Sequence, residues 1–203
     1  YSLTLANPRV EAGEFAEAIS NLTDQFARAV FENVLSGIGS EFNSGLSTSQ
    51  LAERIRSTDL SKGTTHAKFV IYSGPPGGGK GTVWDEFIRR YNDFTEKFTL
   101  FHTRPIRPNE KQNKEYYFRS PTHLRELEAR GLIVTTLINN QLQGLALKSF
   151  EDEYFDPQTD TKTTCHVKGL DSVFAGDKIV ILEGGLGWFE ELRKLYGEDL
   201  TSV

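Results

Sequence analysis

The stretch "FVIYSGPPGGGKGTVWDEFI", residues 69–88, decides how the chain is read. Phe69, Val70, Ile71 and Tyr72 form a strand-like run. It breaks into residues 74–79, which hold four glycines and two prolines. Lys80 follows at once, and the residues from Thr82 to Tyr91 read as a helix. Glycine lets backbone turn tightly and removes the Cβ atoms that would keep a ligand away. The start of a helix adds unpaired N–H groups and the positive end of its dipole. A strand, a glycine turn and a helix in that order make a cradle for a string of phosphates. Gly74-x4-Gly79-Lys80 has the phosphate-loop spacing, in which a lysine reaches the outer phosphates as a mobile charge. A glycine-rich hairpin is the alternative, and a helix rather than a strand after the loop argues against it. Gly81 stands where many such loops place a hydroxyl for magnesium, and Thr82 follows one position later.

The surrounding chain supports an α/β arrangement. Before the loop, Phe15, Ile19, Leu22, Phe26, Ala29, Val30 and Leu35 recur at helical spacing within residues 8–60. "SGIGSEFNSGLSTSQ" interrupts that region, and Ser47 or Ser49 is placed to cap a second helix. Residues 61–67 read as a linker. After the loop come a strand at 98–102, a polar loop at 103–115, a helix at 121–130, a buried strand "DKIVILEGG" at 177–185 and a helix from Trp188. Alternation of this kind predicts a parallel sheet with covering helices. "EDEYFDPQTDTKTT", 151–164, reads as an exposed, turn-rich loop.

Composition bounds the rest. Over 203 residues, 37% are hydrophobic and 25% charged, ordinary for a soluble globular protein. A net charge of −5 argues against a nucleic-acid binder. Cys165 is the only cysteine, so no internal disulfide forms, and Cys165-His166 lacks the further ligands of a zinc site. No apolar run reaches the roughly 18 residues needed to span a membrane, and residues 1–15 lack a signal-peptide pattern. A cytoplasmic location is expected.

A second segment is dense in anion-binding groups: "FHTRPIRPNEKQNKEYYF", 101–118. Arg104 and Arg107 lie three apart in a proline-stiffened stretch, and two guanidinium forks suit a phosphate. Tyr116 could add a hydroxyl. On its own the segment reads equally well as a solvated basic loop. Together, "SGPPGGGKGT", "TRPIRPNE" and "KQNKEYYF" resemble the guanylate kinase family, whose acceptor region reads Thr-Arg-x-x-Arg-x-Gly-Glu and then x-x-Gly-x-x-Tyr-x-Phe. Asn109 and Asn113 occupy glycine positions, and asparagine tolerates left-handed backbone. "AGDKIVILEGGLGWFEELRKLY" resembles a later strand and helix of that family. The likeness covers 66–203 with an insertion near 150–165, and 1–65 is a helical extension and linker.

The resemblance implies a P-loop NTPase-type parallel sheet with flanking helices, and a small acceptor-binding subdomain inserted at about 101–150. It implies an ATP- and Mg²⁺-dependent kinase acting on a nucleoside monophosphate, most simply GMP or dGMP. ATP would lie on Gly74, Gly77, Gly78, Gly79, Lys80, Gly81 and Thr82. Lys80, Arg104 and Arg107 would be catalytic, with Arg104, Arg107, Tyr116 and Gln143 on the acceptor and Thr82 and Glu183 beside the metal. Some family features differ. The glutamate that reads guanine falls at Val134 and Thr135, a Tyr-Gly-Ser/Thr motif falls at Gln143-Gly144-Leu145, and an aspartate position falls on glycine beside Glu183. The family's arginine-bearing lid would lie beyond "LTSV". A nucleotide-binding protein with another acceptor and a non-catalytic interaction module are the competing readings. The N-terminal helices either pack on the core or mediate dimerisation.

Overall fold

The computed structural model describes residues 12–40, 45–61, 68–73, 79–156, 158–184 and 186–196. Its frame is a three-stranded parallel sheet: β1 (Phe69–Tyr72), β9 (Ile179–Glu183) and β2 (Thr95–Lys97), in the order β1-β9-β2. Side chains alternate across a strand, so the sheet has two apolar faces. Val70, Ile179 and Ile181 face one core. Phe69, Ile71, Val180 and Leu182 face the other. Strands buried on both sides read as continuous Val/Ile/Phe runs, and parallel sheets covered on both faces have that signature.

Helices α1 (Ala12–Gly37), α2 (Thr48–Arg56) and α3 (Lys80–Tyr91) fill the first face. Phe31 packs on Phe87, Tyr91 and Phe94, and Arg90 of α3 bonds Asp24 and Ser20 of α1. The N-terminal helices therefore pack on the core, one of the two expected outcomes. Ser47 caps α2 in a full capping box with Gln50, which satisfies end donors that the helix itself cannot.

The second core holds a mixed four-stranded sheet, ordered β4 (Tyr117–Phe118), β3 (Phe101–His102), β6 (Gln141–Ala146), β5 (Ile133–Ile138). It also holds α4 (Pro121–Ala129), α5 (Leu170–Ala175) and α6 (Leu186–Tyr196). Parallel pairing thus covers the first sheet, whereas β6 pairs antiparallel to β3 and β5. Gly144 sits where an added Cβ would press to 3.1 Å on Ile133 of β5 and Phe101 of β3, so glycine there lets the three strands' side chains pack closely. The expected strand at 98–102 is cut short, because Phe98 and Leu100 are buried outside any strand.

One expectation is overturned. Residues 151–164 are no exposed loop: β7 (Phe150–Asp156) and β8 (Thr161–Val167) form an antiparallel hairpin, registered Asp152↔Cys165 and Tyr154↔Thr163. Its inward face is polar, with Asp152 and Asp156 buried beside Tyr154 and with Phe155 exposed. That inverts the usual pattern, and so the stretch looks like a loop. Among the described residues no helix is long and apolar enough to cross a membrane.

Lys68 is fully buried at the start of β1 and donates from Nζ to Phe174 O (3.2 Å) and Gly176 O (2.7 Å) at the end of α5. A cation suits the carbonyl end of a helix. Lys68→Met should destabilise the protein by about 2 kcal/mol, since two buried carbonyls lose their donor; chemical denaturation measures it.

Candidate functional site

The site is organised at the carboxyl ends of β1 and β9, where ligands of parallel α/β sheets gather. Tyr72 pairs in register with Glu183, so both strands point their last residues the same way. The glycine loop leaves from there. Gly74, Gly77 and Gly78 lie outside the described residues. Gly79 is described: it caps α3 at φ 74°, a left-handed conformation that glycine adopts without penalty. Its carbonyl accepts the Val83 N–H at 3.1 Å. Lys80 is the first residue of α3, half-buried, and Gly81 and Thr82 are exposed in its first turn. Among the described residues, a Cβ on Gly81 would meet nothing within 4 Å.

The acceptor candidates come from the loop between β3 and β4. Arg104 is held end-on by Glu110: Nη1 donates to Oε2 at 2.6 Å and Nη2 to Oε1. Nη1 also donates to the Pro105 carbonyl. Among the described residues this leaves Nε–H and the second Nη2–H, the side-on fork that grips an oxyanion with two bonds. The guanidinium lies over the rings of Tyr116 (5.3 Å) and Phe118 (5.1 Å). The hydrogen bond to Glu110 raises Arg104's pKa and, from the other side, lowers that of Glu110. Glu110 Oε2 also accepts the Arg107 N–H at 2.9 Å. The Arg107 side chain is exposed, and its guanidinium has no ion-pair partner among the described residues.

Tyr116 joins the two halves. Burial raises its pKa, and the next cause is the charge of Glu183 at the tip of β9; the same carboxylate acts on Tyr72. Glu183, Tyr72 and Tyr116 therefore share one electrostatic neighbourhood. The structure brings Arg104 and Tyr116 together and sets Glu183 near them. Asn113 takes φ 62°, the left-handed backbone expected of a glycine position. Asn109 does not.

Gln143 stands beside this cluster on the sheet, in register with His102 and Thr136. Its Oε1 accepts from Trp188 Nε1 at 2.9 Å, and its amide nitrogen lies 3.2 Å from His102 Nε2. His102 Nδ1 accepts the Arg104 N–H, so this histidine holds the backbone at the start of the arginine loop. Trp188 does more than pack, because it orients the Gln143 amide. The carboxylate position expected at Val134 and Thr135 is filled differently: Glu128 of α4 binds Thr135 through both its N–H and its hydroxyl.

Sequence reasoning missed a second buried centre. Arg119 donates to Asp152 Oδ2 at 2.7 Å, and Asp152 Oδ1 takes His123 Nε2 at 2.7 Å. Burial alone would raise the Asp152 pKa, yet His123 and Arg119 together bring it below the usual carboxylate range. The one available signal was an arginine inside the strand-like run "YYFRS".

Comparison with known proteins follows this geometry. A guanylate kinase of Streptococcus thermophilus is 39% identical over 62 residues, 30% of each chain. One of Lactococcus lactis is 37% identical over 62 residues, 30% of each chain. One of Nostoc sp. is 28% identical over 134 residues, 66% of this chain and 57% of that protein. The chain is thus similar to guanylate kinases over 30 to 66% of its length. The matched segments span less than two thirds of those relatives' length. A guanylate kinase structure from Anaplasma phagocytophilum overlaps 66% of this chain and 56% of that one, at 18% identity and a TM-score of 0.41. That overlap is too partial to bear on the site. No protein-family model matches.

Burial, followed by the nearby Arg104 charge, pushes the His102 pKa down from 6.5 to about 4. The folded state thus binds fewer protons than the unfolded chain between these values, so stability should fall as pH drops from 6.5 to about 4. The loss amounts to about 3 kcal/mol and should be smaller in His102→Gln, read from denaturation midpoints across that range.

Proposed function

We propose that the chain transfers the γ-phosphoryl group of ATP to a nucleoside monophosphate, with GMP or dGMP the first candidate. One observation carries this reading. The strand tip from which the glycine loop departs carries Tyr72 and Glu183, paired in register, and the Glu183 charge is felt at both Tyr72 and Tyr116, the ring over which Arg104 lies. Phosphoryl transfer needs two phosphate-binding devices facing one another, and little covalent chemistry from the protein.

In this reading the glycine loop, Lys80 and the first turn of α3 hold the ATP phosphates. Arg104 takes the acceptor phosphate with its side-on fork, kept in place by Glu110 and the rings of Tyr116 and Phe118. Arg107 and Tyr116 add charge and a hydroxyl. An acceptor phosphate oxygen attacks the γ-phosphorus in line, the bond to the β-phosphate oxygen breaks, and ADP leaves with that electron pair. The exposed Thr82 hydroxyl and the half-buried Glu183 carboxylate are hard oxygen donors, the kind Mg²⁺ prefers. They would hold the ion, whose charge offsets that of the phosphate oxygens. Lys80, Arg104 and Arg107 supply the remaining positive charge.

A second reading keeps ATP and changes the acceptor. The row of residues beside the cluster is Phe118, His102, Gln143 and Thr136. It presents no carboxylate, and Trp188 occupies the Gln143 oxygen. A site without a matching acceptor discriminates weakly for the N–H edge of guanine.

Titration calorimetry of GMP, AMP, CMP and UMP into protein saturated with a non-hydrolysable ATP analogue and Mg²⁺ separates these readings. GMP should bind, and Arg104→Ala should weaken it about 10- to 100-fold through loss of charged hydrogen bonds. Equal binding of several monophosphates would favour the second reading. Analogue binding without any monophosphate binding would end the first.

A further inference from the structure

We infer that the β7–β8 hairpin is a positioning device for the acceptor loop, acting through Asn113, Arg119 and Tyr154. The ligand named in the test rests on the function proposed above; the network itself does not. The sheet fixes the loop only at its ends, since β3 stops at His102 and β4 starts at Tyr117. The residues between must still present Arg104 and Tyr116 at a fixed mutual orientation.

Asn113 is where that orientation is set. At φ 62° its N–H is donated to Tyr116 O (3.0 Å), and its amide joins two other parts of the molecule. Oδ1 accepts from Arg119 Nη2 at 3.1 Å, and Nδ2 donates to Tyr154 Oη at 2.7 Å. Tyr154 belongs to the hairpin, and its ring lies 3.3 Å from the Arg119 guanidinium. Arg119 also donates to Asp152 and Cys165 of the hairpin and to the Phe118 carbonyl. Phe118 is the ring beneath Arg104. Gln112 completes the tie, bonding both the N–H and the carbonyl of Phe118.

The hairpin is thus tied to Asn113 through Tyr154, and to Asn113 and the Phe118 carbonyl through Arg119; Asn113 and Gln112 in turn bond the Tyr116 carbonyl and the Phe118 backbone. A hairpin needed only for bulk stability would bury apolar side chains. This one buries Val167 at its base, but along its length it turns Asp152, Tyr154 and Asp156 inward and leaves Phe155 61% exposed. Tyr154 reaches the loop directly at Asn113, and Asp152 reaches it through Arg119.

The test uses two mild substitutions. Tyr154→Phe removes only Oη and keeps the ring under Arg119. Asn113→Gly keeps the left-handed backbone and removes both amide bonds. Arg119→Ala and Asp152→Ala are set aside, because an orphaned buried charge would unfold the region. GMP affinity measured with the ATP analogue bound should fall about fivefold in Tyr154→Phe, which loses one hydrogen bond, and further in Asn113→Gly, which loses two. Analogue affinity should stay within about twofold, and amide hydrogen exchange over 103–116 should rise. Unchanged exchange would overturn the inference, as would faster exchange with unchanged GMP affinity. If the wild-type protein binds no monophosphate, the proposed function fails. Exchange over 103–116 then decides the positioning role by itself.

Discussion

The parallel pairing of β1 with β9 is the constraint from which the site follows. Their register sets Tyr72 against Glu183 and sends both chains out at the same end. Adjacent parallel strands cannot be joined by a tight turn, so the chain after Tyr72 must leave the sheet, touch it once more as β2, and return only at Ile179. That excursion includes α3, the whole second sheet and the hairpin. The glycine loop and the loop between β3 and β4 are therefore both products of one topological necessity. Glu183, the last residue of the returning strand, is placed to feel both.

The excursion carries its charges in pairs. Arg104 has Glu110 and Arg119 has Asp152, and in each case the carboxylate's second oxygen holds something more: the arginine's other Nη for Glu110, and His123 for Asp152. A buried pair stabilises little once desolvation is counted. Its value lies in direction, because a guanidinium fixed by two or three bonds has only one way to offer its remaining N–H groups. Arg104 is fixed so that a side-on fork remains, while Arg119 spends four of its five N–H groups within the protein. Two arginines fifteen residues apart thus differ in use because of what surrounds them.

Much of the frame was legible in the sequence. The phosphate-loop spacing located a strand and a helix, Ser47 marked a helix start, and Asn113 marked a left-handed turn, each through a local backbone requirement. The second sheet was harder. Its strands β3 and β4 are two residues long, too short for an alternation to be counted. The hairpin was illegible for a different reason: its buried face is Asp152, Tyr154 and Asp156, so polarity pointed outward where the chain points inward. The roles of Trp188 and Glu128 depend on contacts from helices more than forty residues and seven residues away respectively. No local pattern encodes a partner chosen by tertiary packing.

The inverted hairpin has a consequence for its own fidelity. A strand pairing that slips by one residue exchanges its two faces. With apolar residues on both faces such an error would be tolerated. Here a slip in β7 would turn Glu153 and Phe155 inward and carry Asp152 to solvent, stranding Arg119 without a counter-charge. An uncompensated buried charge costs about 3–5 kcal/mol, a large share of the stability of a single domain. The ion pair that seems wasteful as a source of stability therefore works as a proofreading element, admitting a single alignment of the two strands.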